Sequence, residues 1–300
     1  EIYTLSLHDA LPIYELASCC VPFPSCRQTA MDATDTEQNL LEIRHLNKAF
    51  WKRGRSVQAL KDITLNIRAG ECVGMVGQSG SGKSTLARLL CRIYEPDEGK
   101  ALFQGQDAFA LKSRDYYRQV QMVFQDPLAS CPPRMRVERF LLEPFRNFRL
   151  LAGRNPRELA RELLARVHLG EELLPRYPGQ LSGGQMQRVV FARATGLSPR
   201  LLICDEATSA LDTTIQAQVV ALLQELRRQI GFACLFITHD LALAESLCDT
   251  IYVMADGAIA ERLSSGNMAA EAKAPATLSL LAACRSFSDL GAFTSSRGCT

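Results

Sequence analysis

The stretch Cys72-Val73-Gly74-Met75-Val76-Gly77-Gln78-Ser79-Gly80-Ser81-Gly82-Lys83-Ser84-Thr85 decides the reading of this chain. An apolar run leads into a glycine-rich loop, and Leu86-Ala87-Arg88-Leu89-Leu90 continues beyond it at helical spacing. The loop fits G-x-x-x-x-G-K-[ST] between a strand and a helix, the context that gives the pattern its meaning. Its glycines let backbone N–H groups curl around phosphate oxygens, and the helix N-terminus adds partial positive charge. Gly77, Gln78, Ser79, Gly80, Ser81, Gly82, Lys83, Ser84 and Thr85 are therefore the candidate nucleotide-binding residues. Lys83 is expected to reach the β- and γ-phosphates and the Ser84 hydroxyl to ligate Mg²⁺. Taken alone, the motif specifies a nucleoside triphosphate and nothing finer, because kinases, GTPases, helicases and transport ATPases share it.

Outward from the loop, the strands fall into two kinds. Leu41 and Ile43 alternate with Glu42 and Arg44, and Ile63, Leu65 and Ile67 alternate with Asp62, Thr64 and Asn66. Such period-2 patterns predict half-exposed strands of an antiparallel sheet. Cys72–Val76, Leu201–Cys204 and Ala233–Ile237 are apolar on both faces, as strands inside a parallel sheet are. Asp256-Gly257, between Ile251–Met254 and Ala258–Ala260, predicts a tight hairpin.

Helical segments lie between these strands. Asn155 and Pro156 open one that carries Leu159, Leu163, Leu164 and Val167, with Gly170 after its end. Ile215, Val219, Leu222, Leu223 and Leu226 form the apolar stripe of another. The expected fold is α/β: a P-loop NTPase (RecA-like) parallel-sheet core, an antiparallel β subdomain and a helical subdomain inserted at about 127–180.

Composition removes several classes. With 34 basic against 32 acidic side chains, the net charge of +2 supplies no concentrated basic face, so no nucleic-acid partner is expected. The eleven cysteines contain no C-x-x-C pair, and Cys204 sits in an apolar run, which predicts reduced thiols packed as small hydrophobes. No run approaches the roughly 18 consecutive apolar residues that would cross a bilayer. Residues 1–38 are expected to be a non-domain lead. Within it, Glu1 to Ile13 (EIYTLSLHDALPI) resembles the translation of a sequencing adapter, and Met31 is the expected natural start. The ATPase unit is expected over 39–262, with an Ala/Ser-rich tail of no predicted structure over 263–300.

A second acidic site follows from Leu201-Leu202-Ile203-Cys204-Asp205-Glu206, an apolar strand that ends in a carboxylate pair. In a P-loop protein, Asp205 would hold Mg²⁺, and Glu206 is placed to polarise the attacking water. Leu181-Ser182-Gly183-Gly184-Gln185 then narrows the class. It resembles the signature motif of the ABC transporter ATPases, which other P-loop classes lack. Ser182 and the glycine amides would open a helix over Gln187–Thr195 as a second anion-binding start.

The resemblance spans about residues 40–262 and implies an ATP-hydrolysing subunit that uses ATP and Mg²⁺ and works as a head-to-tail dimer. In such a dimer Leu181, Ser182, Gly183, Gly184 and Gln185 serve the partner's ATP. It further identifies Gln125 as the Q-loop glutamine that senses Mg²⁺, and Ser209-Ala210-Leu211-Asp212 as the D-loop facing the opposite subunit. His239 resembles the switch histidine beside the γ-phosphate. Phe50 is similar to the aromatic that stacks on adenine, with Trp51 its rival. The implied catalytic set is Glu206, His239, Gln125 and Lys83, and the implied metal set is Ser84, Gln125 and Asp205.

Within the family, Gln121–Ser130 and Ile215–Val219 resemble the dipeptide/oligopeptide/nickel importers. Ala233–Leu241 and Leu181–Arg188 lean towards the nickel or metallophore branch. That resemblance implies a second ATPase subunit of different sequence, two integral-membrane permeases, a solute-binding protein acting indirectly, and a place at the cytoplasmic face of the cell membrane. Two departures stand out. Ser130-Cys131-Pro132-Pro133-Arg134-Met135 replaces the usual Ser-Leu-Asn-Pro-Arg-Met, and Ala274-Pro275-Ala276-Thr277 stands where a His-Pro-Tyr-Thr stretch is customary. The competing reading is a non-transport ABC ATPase coupled to a soluble or nucleic-acid partner.

Overall fold

A computed structural model describes residues 39–52, 55–209 and 212–282 of the 300-residue chain. The lead over 1–38, with its adapter-like segment and Met31, lies outside the described residues, as do Ala210, Leu211 and the end of the tail.

The strands, numbered in chain order, form two sheets. β1 (Asn39–Lys52), β2 (Arg55–Arg68), β4 (Glu98–Phe103) and β5 (Gln106–Asp107) form an antiparallel sheet in the order β2-β1-β4-β5. β3 (Cys72–Val76), β6 (Val120–Val123), β7 (Leu201–Asp205), β8 (Ala233–Thr238), β9 (Thr250–Ala255) and β10 (Ala258–Ser264) form the central sheet. Its order is β10-β9-β3-β8-β7-β6, parallel throughout except for the β9–β10 hairpin. Asp256 and Gly257 turn that hairpin with φ of 48° and 84°, the doubly positive pair that a tight two-residue turn requires.

Every residue of β3, β7 and β8 is buried, because apolar layers cover both faces of the sheet. Alternation along the strands sorts the two layers. Val73, Met75, Leu201, Ile203, Leu235 and Ile237 pack with Leu86 and Leu89 of α1 (Lys83–Leu90) and with Leu41, Ile43 and Ile63 of the antiparallel sheet. Cys72, Val76, Leu202, Cys204, Cys234 and Phe236 face the opposite layer. That layer is built by α3 (Val137–Asn147), α4 (Pro156–Ala165), α5 (Gly183–Gly196), α6 (Thr213–Ile230) and α7 (Leu241–Leu247), with α2 (Ser113–Gln119) preceding β6. Each fully buried Leu, Ile or Phe in these layers contributes roughly 1.5–3 kcal/mol, so the double-sided sheet is the main stabilising element.

The fold is the α/β P-loop architecture, and several local expectations need correction. The helix after the signature stretch begins at Gly183, not at Gln187, so the motif glycines form its first turn. α4 ends at Ala165, so Val167 lies beyond it, and His168 takes a left-handed conformation with φ of 56° ahead of Gly170. The tail, in which no structure was predicted, carries α8 (Met268–Glu271) and is helical again over 275–282. Dispersed as they are in sequence, Cys72, Cys204, Cys234 and Cys248 are gathered in one apolar layer, where they are free thiols. Cys72 and Cys248 stand 3.7 Å apart, Sγ to Sγ.

Candidate functional site

The parallel sheet assembles the site by register. Val76 pairs with Thr238, Asp205 with Ile237, and Cys204 with Val123. Strands β3, β8, β7 and β6 thus end side by side, and each releases one element of the site at its carboxyl end. The phosphate loop follows β3, His239 follows β8, Asp205 and Glu206 close β7, and Gln125 follows β6. In open α/β sheets this edge is where ligands bind.

The loop itself is shaped by the backbone. Gly82 caps α1 at φ of 106°, and a Cβ there would stand 2.5 Å from the carbonyl of Ala59, so only glycine fits. Lys83 is 4% exposed, and its Nζ donates to the carbonyls of Gly77 and Gln78 at 2.8 Å and to Ser81 Oγ at 3.2 Å. The lysine therefore straps the loop. Burial pushes its pKa down, and the Glu206 and Asp205 carboxylates oppose that shift.

Beside the loop, Ser84 Oγ donates to Asp205 Oδ1 at 2.9 Å. Burial raises the Asp205 carboxyl above its ordinary value, and the hydrogen bond from Ser84 works against the rise. Glu206 adopts φ of 48°, a left-handed conformation that non-glycine residues avoid. Its N–H donates to the Ile237 carbonyl at 3.0 Å, and its own carbonyl accepts from Ser209 N–H and Oγ at 3.1 and 3.0 Å. These bonds hold the strained backbone and aim the carboxylate at Gln125 and His239. Gln125 Nε2 donates to Glu206 Oε2 at 2.9 Å, and His239 Nδ1 lies 3.7 Å from Oε1.

Gly77, Gln78, Ser79, Glu206 and His239 line a cavity of about 520 Å³, to which Ser279 and Leu280 of the tail also contribute. Lys83, Ser84, Asp205, Glu206, Gln125, His239 and Ser209 thus converge, with the Gln125 amide directed to Glu206 and Ser209 and the Ser84 hydroxyl to Asp205.

The signature residues stand apart from this set. Ser182 caps α5, accepting from Gln185 N–H at 3.2 Å, while Gln185 Oε1 accepts from Ser182 N–H at 3.0 Å. This reciprocal capping box leaves the glycine amides of the first turn free to meet an anion. Leu181 packs against the apolar layer, and a Cβ on Gly184 would come within 2.8 Å of Ile215 on α6. Asp212 caps α6, accepting from Ile215 N–H at 3.0 Å.

Phe50 packs edge-on against Tyr94, ring centroids 5.0 Å apart, whereas its rival Trp51 is 81% exposed. Two supports of Phe50 were not read from the sequence. Tyr94 is one, and Asp97 is the other, accepting from Ala49 N–H at 2.6 Å and Lys48 Nζ at 2.7 Å. Neither lies within a recognisable motif. Ser279 and Leu280 were likewise not foreseen, because nothing in an Ala/Ser-rich tail marks where it docks.

Among the described residues no cluster of three or more His, Cys, Asp or Glu side chains could hold a metal ion. The Ser84 hydroxyl and Asp205 carboxylate are hard oxygen donors, the few-ligand set from which a cation that keeps water and phosphate oxygens is bound.

A lysine-strapped phosphate loop with a strand-end carboxylate pair beside it defines a P-loop nucleoside triphosphatase. The chain belongs to the ABC transporter family and is its ATP-binding, ATP-hydrolysing cassette: residues 60–209 match the family described as ABC transporter. The probable peptide ABC transporter ATP-binding protein y4tS of Sinorhizobium fredii is 44% identical over 230 residues, 76% of this chain and 65% of that relative. The chain therefore spans just under two thirds of that relative's length. The oligopeptide transport ATP-binding protein OppF of Bacillus subtilis is 41% identical over 251 residues, 82% of each chain. Among solved structures, the ATP-binding cassette MJ0796, a dimer in a post-hydrolysis state bound to ADP and Pi, aligns with a TM-score of 0.67 and 28% identity over 75% of this chain and 98% of that one. The cbiO1 protein of Clostridium perfringens, part of the cbiONQ complex, aligns with a TM-score of 0.65 and 27% identity, covering 78% and 92%. No helix among the described residues is long and apolar enough to cross a membrane.

Proposed function

We propose that this cassette powers the import of peptides, with nickel or metal complexes as the second cargo class, through two separate permeases at the cytoplasmic face of the membrane. The observation that carries the catalytic part is the convergence of Lys83, Ser84–Asp205 and Gln125–Glu206–His239 at one sheet edge. The cargo class is supported by the peptide and oligopeptide transport names of its relatives. On this reading residues 39–262 are the ATPase unit, with about 127–180 as its helical subdomain and 263–300 as an appendage.

The loop amides and Lys83 cradle the β- and γ-phosphates, and Lys83 exchanges its bonds to the Gly77 and Gln78 carbonyls for phosphate oxygens. Ser84 and Asp205 would hold Mg²⁺, which when bound supplies positive charge to the phosphate oxygens. Glu206 orients and deprotonates the attacking water, and His239 faces the γ-phosphate from across the cavity. Gln125, donating to Glu206, couples that carboxylate to the segment after β6, which would meet a permease. Phe50 stacks on adenine. In a head-to-tail dimer with a second, different ATPase chain, Ser182 and the Gly183 and Gly184 amides complete the partner's site, while Ser209 and Asp212 face the other subunit. Binding of ATP closes the pair, and hydrolysis reopens it.

The test is co-expression with two candidate permeases, followed by purification and ATPase assay in membranes. Co-purification and stimulation by a peptide-loaded binding protein are expected. An active ATPase that associates with no permease would overturn the importer reading in favour of a cassette with a soluble partner.

A further inference from the structure

We propose that the helical residues 275–282 form a cis-acting brake, occupying over the phosphate loop the place that the partner's signature helix must take. The proposal rests on the head-to-tail dimer reading above. Three features hold the tail there. Glu261 on β10 accepts from Lys273 N–H at 2.8 Å and from Ala274 N–H at 3.2 Å, fixing the chain immediately before the helical residues. Glu271 reaches back to Ser264 N–H at 2.8 Å, tying α8 to the same strand. Ala276, Leu280 and Leu281 pack on the apolar layer that contains Leu241 and Leu247 of α7, the helix that starts two residues after His239.

The consequence is steric. Ser279 and Leu280 line the same cavity as Gly77, Gln78, Ser79, Glu206 and His239. These residues surround the position of the γ-phosphate, and that position is where the free amides of a partner's Gly183 and Gly184 would have to arrive. One surface with two occupants makes them mutually exclusive, so whatever favours dimer closure must displace the tail, and a docked tail opposes closure by the same factor. The attachment is suited to release. Glu261 is held by two backbone donors at a partly exposed position, and Leu278 and Ser279 are exposed, so undocking uncovers one fully buried polar side chain, Thr277, and the half-buried Ala276, Leu280 and Leu281.

Hydrogen–deuterium exchange on the full chain carrying Glu206→Gln, mixed with its partner ATPase, with and without ATP and Mg²⁺, tests this. Protection of residues 77–84 reports nucleotide, and protection of 182–186 reports closure. With both gained, amides of 275–282 are expected to exchange at least about tenfold faster. Gains at 77–84 and 182–186 with unchanged exchange at 275–282 overturn the brake alone. Nucleotide protection without gain at 182–186 overturns the sandwich dimer and the brake with it. As a second measure, Glu261→Ala in the otherwise unaltered chain should raise basal ATPase by roughly three- to tenfold through loss of the clamp, and an unchanged rate would refute the clamp.

Discussion

Replacing Glu206 separates chemistry from folding in a way the structure quantifies. The carboxylate is aimed by a backbone at φ of 48°, which costs about 1–2 kcal/mol for a residue with a Cβ. That cost is borne because Ile237 and Ser209 bond both peptide groups of Glu206. In Glu206→Gln the shape, the strain and an acceptor for Gln125 all remain, so stability should stay within about 1 kcal/mol of the parent. A positioned general base contributes about 10²–10⁴ in rate, so hydrolysis should fall by that factor, or roughly 2.7–5.5 kcal/mol of barrier. Glu206→Asn removes the carboxylate and eases the backbone, since asparagine visits the left-handed region readily, and should gain up to about 1 kcal/mol. The assays are phosphate release at saturating ATP and urea unfolding without nucleotide. A Gln variant that hydrolyses ATP within twofold of the parent would refute the role of Glu206. An Asn variant less stable than Gln would refute the claim of stored strain.

Further outcomes follow from the same geometry. Lys83→Met removes three donors from the loop and should abolish both hydrolysis and the roughly 2.7 kcal/mol of stabilisation that ATP at 100 times its Kd confers, as read by thermal shift. Gly184→Val drives a side chain into Ile215 and should destabilise by about 1–3 kcal/mol, part of it recovered when Ile215→Ala is combined with it. Additive effects in that pair would contradict the contact. Asp97→Asn should weaken ATP binding severalfold by loosening Lys48 and Ala49 behind Phe50 and, at a partly exposed site, cost at most about 1 kcal/mol at neutral pH. The Lys48 hydrogen bond, with that of Ala49 N–H, holds the Asp97 carboxyl below its ordinary value of 3.8. Its stabilisation is thus complete above that pH and lost as pH falls through the lower folded value, so the difference in unfolding between parent and variant should be full at pH 7 and shrink progressively as pH is lowered below 3.8.

Much was legible in the linear chain because the chemistry is carried by local pattern. Gly77–Thr85 needs consecutive residues to wrap a phosphate, and the apolar runs ending at Val76, Cys204 and Ile237 announce strands buried on both faces. The tight turn at Asp256–Gly257 is equally local, since backbone torsion there is settled within two residues. These features determined the class of protein and most of the candidate site. Tertiary structure decided what depends on register and on partners distant in the chain. It placed Gln125 against Glu206, eighty-one residues later, and Ser84 against Asp205, because the order of the parallel strands brings their carboxyl ends together. It packed Phe50 against Tyr94, forty-four residues later, and left Trp51 in solvent. It also docked an unpatterned tail beside the phosphate loop, where the acceptor at Glu261 and an apolar layer assembled from several helices wait for it. Neither of these exists as a pattern in the residues of the tail, so only the folded chain could reveal the contact.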